Sequence, residues 1–210
     1  STNFIPQYEL PGVSASLEEL DKFYFSMRLM SKVSNKDEVI KRLNTLADSY
    51  ENWIQSKLVM DSKMSDDNFK NSVGKKIIKD CDNALSRIRE GIYLISNDDI
   101  SFDAFCFMNR AMLLQRNIMN YSKVNGAGID CSFNDFIDPR KEENDFAWRP
   151  FQIAFILMNL NSMAMPTHND RPIVDLLYFP TGGGKTEAYL GLMAFVIANR
   201  RLRASEDSEY

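Results

Sequence analysis

The sequence predicts a mainly α-helical fold that is followed by an incomplete α/β portion. Apolar residues recur every three or four positions over four long segments between residues 16 and 121, which is typical of amphipathic helices. Further along the chain, a short apolar run precedes a glycine-rich loop, and a second amphipathic segment follows that loop. We therefore expect an array of N-terminal helices and, after it, a helix, a strand, the loop and a last helix.

The composition indicates a globular protein without a general affinity for nucleic acid. The chain has 210 residues, of which 44% are hydrophobic, and this is enough to bury a core. Its formal net charge of -4 argues against the broad basic surface with which many proteins neutralise DNA phosphates. Any contact with DNA is therefore expected to be local, or to come mainly from regions outside this chain.

Cysteine usage and hydropathy predict a cytoplasmic protein. Cys81, Cys106 and Cys131 form no C-x-x-C pair, so we expect reduced thiols and neither disulfides nor a zinc site. The longest apolar segments, near 151–160 and 188–198, have about half of the roughly 20 residues that a membrane span needs. We expect no membrane partner.

Capping residues and periodicity predict the first two helices. Residues 1–15 contain two prolines and are expected to be extended. Ser16 and Glu19 have the spacing of a capping box, which predicts a helix over SLEELDKFYFSMRLM at 16–30. A second helix is predicted from about 36 to 60, because its apolar residues lie three or four positions apart.

The same pattern predicts two further helices in this half of the chain. The third covers about 67–95, and the polar turn at 97–99 ends it. Ser101 is expected to cap the fourth helix, which reaches residue 121. The side chains expected to face inward on this fourth helix are Phe102, Phe105, Met108, Met112, Leu113 and Met119.

Helical periodicity is lost between 122 and 147, which indicates a loop and a domain boundary. We place the boundary near residue 140, which gives an N-terminal helical domain at 1–140 and a second region at 141–210. The second region opens with a helix at Arg149-Pro150, because a proline in the first turn loses no needed hydrogen bond. The segment IVDLLYF at 173–179 is then predicted to be a buried strand, and the last helix runs to about residue 203.

The stretch YFPTGGGKTEAYLG at 178–191 carries the chemistry of a phosphate-binding P-loop. Thr181 and Gly182–Gly184 would form a cradle, because glycines let backbone N–H groups point at phosphate oxygens without side-chain collisions. Lys185 would bind the β- and γ-phosphates of ATP, and the Thr186 hydroxyl would bind Mg²⁺. Lys185 and Thr186 are thus the predicted catalytic residues. Phe179 occupies the first glycine position of G-x-x-x-x-G-K-[ST], so the strict pattern is not met.

A second segment, WRPFQ at 148–152, is predicted to contact the nucleotide. The side-chain amide of Gln152 can donate to and accept from the edge of adenine, although it could instead be a residue of the helix surface. Arg149 is counted among the nucleotide-binding residues as part of the same segment. Glu187 is counted as well, although a carboxylate in a first helical turn is also favoured by the helix dipole alone.

These segments together resemble the large helicase of DISARM anti-phage defence systems. The residues that carry the resemblance are WRPFQIAFILMNL, the PTH at 166–168, DLLYFPTGGGKTEAYLGL and, more loosely, FCFMNRAMLLQ. The resemblance is most specific over 148–203. It implies a bacterial, ATP-driven superfamily 2 DNA helicase or translocase, in which 141–210 would begin a RecA-like lobe. It also implies DNA, the remaining helicase lobes and DISARM partner proteins as partners.

Two other interpretations of the sequence stay open. A motor of this kind also needs an acidic motif and arginines from a second lobe, which this chain does not contain, so the chain alone is expected to be inactive. The glycine loop could equally belong to another P-loop ATPase, such as a restriction-type DNA translocase. Alternatively, the helices at 36–121 could form a protein-interaction module of a larger complex.

Overall fold

The computed structural model describes residues 21, 23–63, 68–138, 140–177 and 183–207, and within these ranges the fold is helical. The α-helices of the described residues are α1 (Met27–Met30), α2 (Lys36–Lys63), α3 (Asn68–Asn97), α4 (Asp99–Gly126), α5 (Phe133–Ile137), α6 (Pro150–Ala164) and α7 (Lys185–Asp207). Short 3₁₀ turns lie at Val33–Asn35 and Glu142–Asn144. None of the helices in the described ranges combines the length and apolar content that crossing a membrane requires.

Helix α6 lies at the centre of the core. It is apolar on most of its sides, as expected of a helix surrounded by protein, and Ile153, Ile156, Leu157 and Leu160 are completely buried. It packs against α3 and α7, while α4 packs against α7 and α2 against α3. One cluster of buried side chains includes residues from both sides of the predicted boundary near residue 140. The boundary itself stays a prediction.

Five of the predicted helices are confirmed, with small differences at their ends. These are α2, α3, α4, α6 and α7. Helix α4 is capped by Asp98 and not by Ser101, because the Asp98 carboxylate accepts a hydrogen bond from the Ser101 N–H at 3.2 Å. The region predicted to be a loop at 122–147 contains the last turn of α4 and the short helix α5.

The inward face of α4 is confirmed over its first half and wrong near its end. Phe102, Phe105, Met108 and Met112 are buried, but Met119 is 54% exposed. At this level the inward position belongs to Asn117, whose side-chain amide donates to the carbonyl oxygen of Asn144 at 3.2 Å. A polar contact with the following loop therefore replaces the apolar contact that the periodicity predicted.

The predicted strand at 173–179 is wrong over its described part. Ile173–Leu177 form no strand, and Val174 and Leu176 are 92% and 89% exposed. A strand needs a neighbour to pair its backbone groups, and the only pairing in the described ranges is an isolated bridge between Ser26 and Ala147. Tyr178 and Phe179 lie outside the described residues. The expected α/β, RecA-like portion is therefore corrected to an all-helical fold in the described ranges.

The predicted helix at 16–30 is also corrected. Residues 16–20 lie outside the described ranges, and only Met27–Met30 of the rest are α-helical. The backbone before α1 pairs with the segment before α6, since Met27 N–H donates to Phe146 at 2.7 Å and Trp148 N–H donates to Phe25 at 3.0 Å. Bonds between residues about 120 positions apart thus replace the local helix at this point.

The cysteines are free thiols. Cys106 is buried in α4, while Cys81 and Cys131 are half-buried. Burial raises the pKa of the Cys106 thiol to about 12, because the thiolate would lose its hydration. Cys106 is therefore a packing residue of the core and not a nucleophile at neutral pH.

Gly91 allows α3 and α6 to approach closely. A Cβ atom built on Gly91 would lie 2.1 Å from the carbonyl oxygen of Leu157, which is backbone and cannot swing away. Gly126, in the last turn of α4, offers a contrast because a Cβ atom there would meet nothing within 4 Å.

We predict that Gly91→Ala lowers the free energy of unfolding by about 1–3 kcal/mol, the usual cost of overpacking a rigid core. Gly126→Ala is the matched control, and it should be neutral or stabilise the protein by up to about 1 kcal/mol. Urea unfolding of the two variants measures both effects. Equal stability of the two variants would contradict the close packing of α3 on α6.

Candidate functional site

The described part of the glycine loop turns sharply into α7. Gly183 is buried, Gly184 has a φ of 89°, and α7 begins at Lys185. A positive φ is unfavourable for residues with a Cβ atom, so this position favours glycine. Thr181 and Gly182, the other predicted cradle residues, lie outside the described ranges.

The first turn of α6 binds the carbonyl oxygens of this loop. Arg149 donates from Nη1 to the Gly183 carbonyl at 2.8 Å, and Gln152 donates from Nε2 to the Gly184 carbonyl at 2.7 Å. The other end of the Gln152 amide accepts from the Arg149 backbone N–H at 2.8 Å. The structure thus brings Arg149 and Gln152 together with the described part of the loop, and their contact with a nucleotide stays a prediction.

These bonds fix which way the loop N–H groups point. In a trans peptide unit, the carbonyl of one residue and the N–H of the next point in opposite directions, and the described residues contain no cis peptide bond. Because the Gly183 and Gly184 carbonyls point at α6, the N–H groups of Gly184 and Lys185 point away from it. Two donors therefore lie on one side of the loop, which is the arrangement that a phosphate cradle needs.

The two predicted catalytic residues occupy the first turn of α7. Lys185 is half-buried and Thr186 is exposed, so the Thr186 hydroxyl can be reached from solvent. The first N–H groups of an α-helix have no acceptor within the helix, and the helix dipole makes this end favourable for an anion. The donor set of N–H groups, an ammonium group and a hydroxyl therefore fits a phosphate with Mg²⁺.

Glu187 connects this turn to the N-terminal helices. Its Oε1 atom lies 3.2 Å from Nη1 of Arg116 on α4, and the Arg116 guanidinium lies over the Phe146 ring at 5.1 Å. A Cβ atom built on Gly184 would lie 3.3 Å from Oε2 of Glu187, so the carboxylate lies beside the loop. An ion pair this exposed contributes at most about 1 kcal/mol to stability.

Sequence reasoning missed Arg116. It lies 71 residues before Glu187 and belongs to the polar face of an amphipathic helix, where a cation is ordinary. Only the packing of α4 against α7 brings it to the site. No signal in the sequence distinguishes it from Arg110, the other arginine of α4.

Trp148, next to the first turn of α6, contacts both α4 and α7. Its indole N–H donates to the Asn109 side chain of α4 at 2.7 Å, and Trp148 is only 2% exposed. A Cβ atom built on Gly191 of α7 would lie 2.7 Å from Cη2 of Trp148, so α7 packs directly on the indole ring. The Trp148 side chain therefore joins α4 and α7 at the start of α6.

An apolar cavity lies on a different side of α6. It has a volume of about 510 Å³ and is lined by residues of α2, α3 and α6 and by 175–177, including the stacked rings of Tyr50 and Trp53. Phe151 lines this cavity, whereas Gln152 turns to the loop and is 5% exposed. The two neighbours in the WRPFQ segment thus have different surroundings.

Sequence comparison then relates the chain to a DISARM protein. Over 99% of its length the chain is 41% identical to DISARM protein DrmA of Bacillus paralicheniformis. The chain is similar to DISARM protein DrmA. This confirms the resemblance to the DISARM family and extends it from 148–203 and, more loosely, 101–121 to nearly the whole chain. The chain spans 18% of the length of that relative. No protein-family model matches the chain.

We predict that Gly184→Ala is more damaging than Gly128→Ala. Both glycines have a positive φ, but a Cβ atom on Gly184 would lie 2.6 Å from Nε2 of Gln152, whereas one on Gly128 would meet nothing within 4 Å. Gly128→Ala should cost about 1–2 kcal/mol, the penalty for the left-handed conformation, and Gly184→Ala should cost more.

Thermal unfolding of both variants and of Gly184→Ala combined with Gln152→Ala measures the difference. The double variant should recover part of the loss, because the side chain that the new methyl group meets is gone. If the two single variants unfold at the same temperature, Gln152 does not confine the loop at Gly184.

Proposed function

We propose that the chain is part of an ATP-dependent superfamily 2 DNA helicase or translocase of a bacterial anti-phage defence system, and that it binds ATP with Mg²⁺ through residues 182–186. One observation carries the proposal. The Gly183 and Gly184 carbonyls are held by α6, so the next N–H groups point together to the other side at the start of α7. The 41% identity to DISARM protein DrmA supports the defence context.

Each residue of the loop has a role in this proposal. The N–H groups of Gly182–Gly184 and Lys185 bind phosphate oxygens, and the Lys185 ammonium adds a positive charge beside the β- and γ-phosphates. The Thr186 hydroxyl is the Mg²⁺ ligand, since a hard cation prefers oxygen donors. When bound, Mg²⁺ neutralises phosphate charge. Thr181 completes the cradle.

Arg149 and Gln152 act on the loop from α6. Arg149 holds the Gly183 carbonyl, on the side of the loop opposite the N–H groups that bind the phosphates. Gln152 is proposed to read adenine, and its bond to Gly184 places it next to the loop that binds the phosphates. Its oxygen accepts from the Arg149 N–H and one of its two amide hydrogens donates to Gly184, so the second amide hydrogen is the group that an adenine contact would use first.

The longer protein supplies what this chain does not. Hydrolysis requires an acidic group that orients water and arginines that stabilise the transferred charge, and we assign both to the remaining helicase regions. Those regions also make most of the DNA contacts in this proposal, consistent with the net charge of -4 of this chain. We propose that the protein is located in the cytoplasm and that its partners include other DISARM proteins. A different P-loop ATPase, such as a restriction-type translocase, would use the same loop.

A protein-interaction module is the second candidate function. Exposed apolar side chains support it, since Met193 and Ile197 lie one turn apart on α7 and are 59% and 52% exposed. Tyr93 on α3 is 71% exposed. In this alternative the helices bind another protein and the glycine loop takes no part in the activity.

We predict that Lys185→Ala lowers the affinity for ATP·Mg²⁺ at least about tenfold, because a charge-assisted contact with phosphate is lost. In the longer protein the same variant should abolish DNA-stimulated hydrolysis. Titration calorimetry with ATP·Mg²⁺ measures the first effect, and phosphate release measures the second. Lys123→Ala, which removes an exposed lysine from the last turn of α4, is the control and should bind as the wild type does. Unchanged activity of Lys185→Ala would favour the interaction module.

We predict that Gln152→Ala weakens ATP binding more than GTP binding, because only adenine presents the edge that the amide reads. Competition between the two nucleotides gives the ratio of affinities. If both nucleotides lose affinity equally, Gln152 acts on the loop alone and does not read the base. If the affinity for neither changes, the contact with Gly184 is not needed for binding.

A further inference from the structure

The ion pair between Arg116 and Glu187 lies beside the proposed phosphate site and joins it to α4. Glu187 is in the first turn of α7, two residues after Lys185, and its Oε2 atom lies beside Gly184. Its other oxygen faces Arg116 at 3.2 Å. The side chains of Arg116 and Glu187 are 37% and 26% exposed, so neither charge is fully hydrated.

The sequence counts Glu187 among the nucleotide-binding residues, but in the structure its carboxylate lies where it would repel the proposed ligand. A triphosphate bound by the loop would lie at the same helix end as this carboxylate, and two anions at short range repel each other more strongly where water is partly excluded. A carboxylate at this point therefore weakens anion binding unless a cation compensates for it. Of the described side chains, the one that the structure pairs with the Glu187 carboxylate is Arg116.

Arg116 is held in a position to compensate. Its guanidinium lies over the Phe146 ring at 5.1 Å, and Phe146 belongs to the segment whose backbone pairs with Met27. The contact with the ring restricts the conformations of the Arg116 side chain and favours those in which the guanidinium lies next to Glu187. An arginine suits this place because its planar group can stack on a ring and donate at its edge at the same time.

We propose that Arg116 is a positioning residue for nucleotide binding: it neutralises Glu187 and holds the carboxylate away from the phosphates. The inference rests on the proposed function, since it concerns the affinity of the same loop. It assigns to α4, a helix of the N-terminal region, a direct influence on the nucleotide site. A movement of α4 away from α7 would then lower the affinity for ATP, because it would separate Arg116 from Glu187.

Nucleotide titrations of the full-length protein test the proposal. Arg116→Ala should weaken ATP·Mg²⁺ binding about threefold to fivefold, the order of magnitude of a partly exposed ion pair. The loss should be smaller for ADP, which carries less charge, and should shrink at high salt. Glu187→Gln should bind ATP at least as tightly as the wild type. The double variant, Arg116→Ala with Glu187→Gln, should regain most of the lost affinity, because the repelling charge is gone.

The controls separate this inference from the proposed function. Arg110→Ala removes an exposed arginine from the same helix and should not change the affinity for ATP. If Arg116→Ala binds ATP as the wild type does, or if the double variant is not rescued, Arg116 has no positioning role even though Lys185→Ala abolishes binding. If the wild-type protein and Lys185→Ala bind ATP equally weakly, the proposed function fails and the role of Arg116 fails with it.

Discussion

The hydrogen bonds from Arg149 and Gln152 to two loop carbonyls are the contacts on which the candidate site depends. A glycine-rich segment has many accessible conformations, and its N–H groups bind an anion together only if something selects one of them. Here the side chains of Arg149 and Gln152, at the start of α6, select one loop conformation by binding the Gly183 and Gly184 carbonyl oxygens. The N–H groups of Gly184 and Lys185 are thereby turned to the side of the loop away from α6, and such preorganisation would lower the entropy lost if an anion binds there.

The position of α6 depends in turn on the N-terminal helices. Gly91 lets α3 approach the backbone of α6, and Trp148 joins the start of α6 to Asn109 on α4. Helix α7, which carries Lys185 and Thr186, packs on the same indole ring through Gly191. The N-terminal helices α3 and α4 therefore contact the helix that holds the loop or Trp148 at its start. The domain boundary near residue 140 stays a prediction.

The elements that the sequence predicted well are those whose pattern reflects local packing. Helices α2, α3 and α4 follow from periodicity, and Pro150 marks the start of α6 correctly. The errors concern residues whose partners are distant or outside the described ranges. Ile173–Leu177 have a strand-like composition but no neighbouring strand, and Met27 bonds to Phe146 in place of continuing a helix. Lys185 and Thr186 follow from a motif, whereas Arg116 follows only from the packing of α4 on α7.

Gln152 limits how the nucleotide could be recognised. An amide has one acceptor and one donor group, and in this structure the acceptor serves Arg149 and a donor serves Gly184. The second hydrogen of the amide nitrogen can still donate to a base, but an acceptor for the amino group of adenine exists only if the Arg149 bond shares its oxygen or breaks. Because that bond belongs to the first turn of α6, reading adenine in full would alter the same turn that holds the loop. If the proposed nucleotide binds here, base recognition and phosphate binding would therefore be coupled through this one side chain.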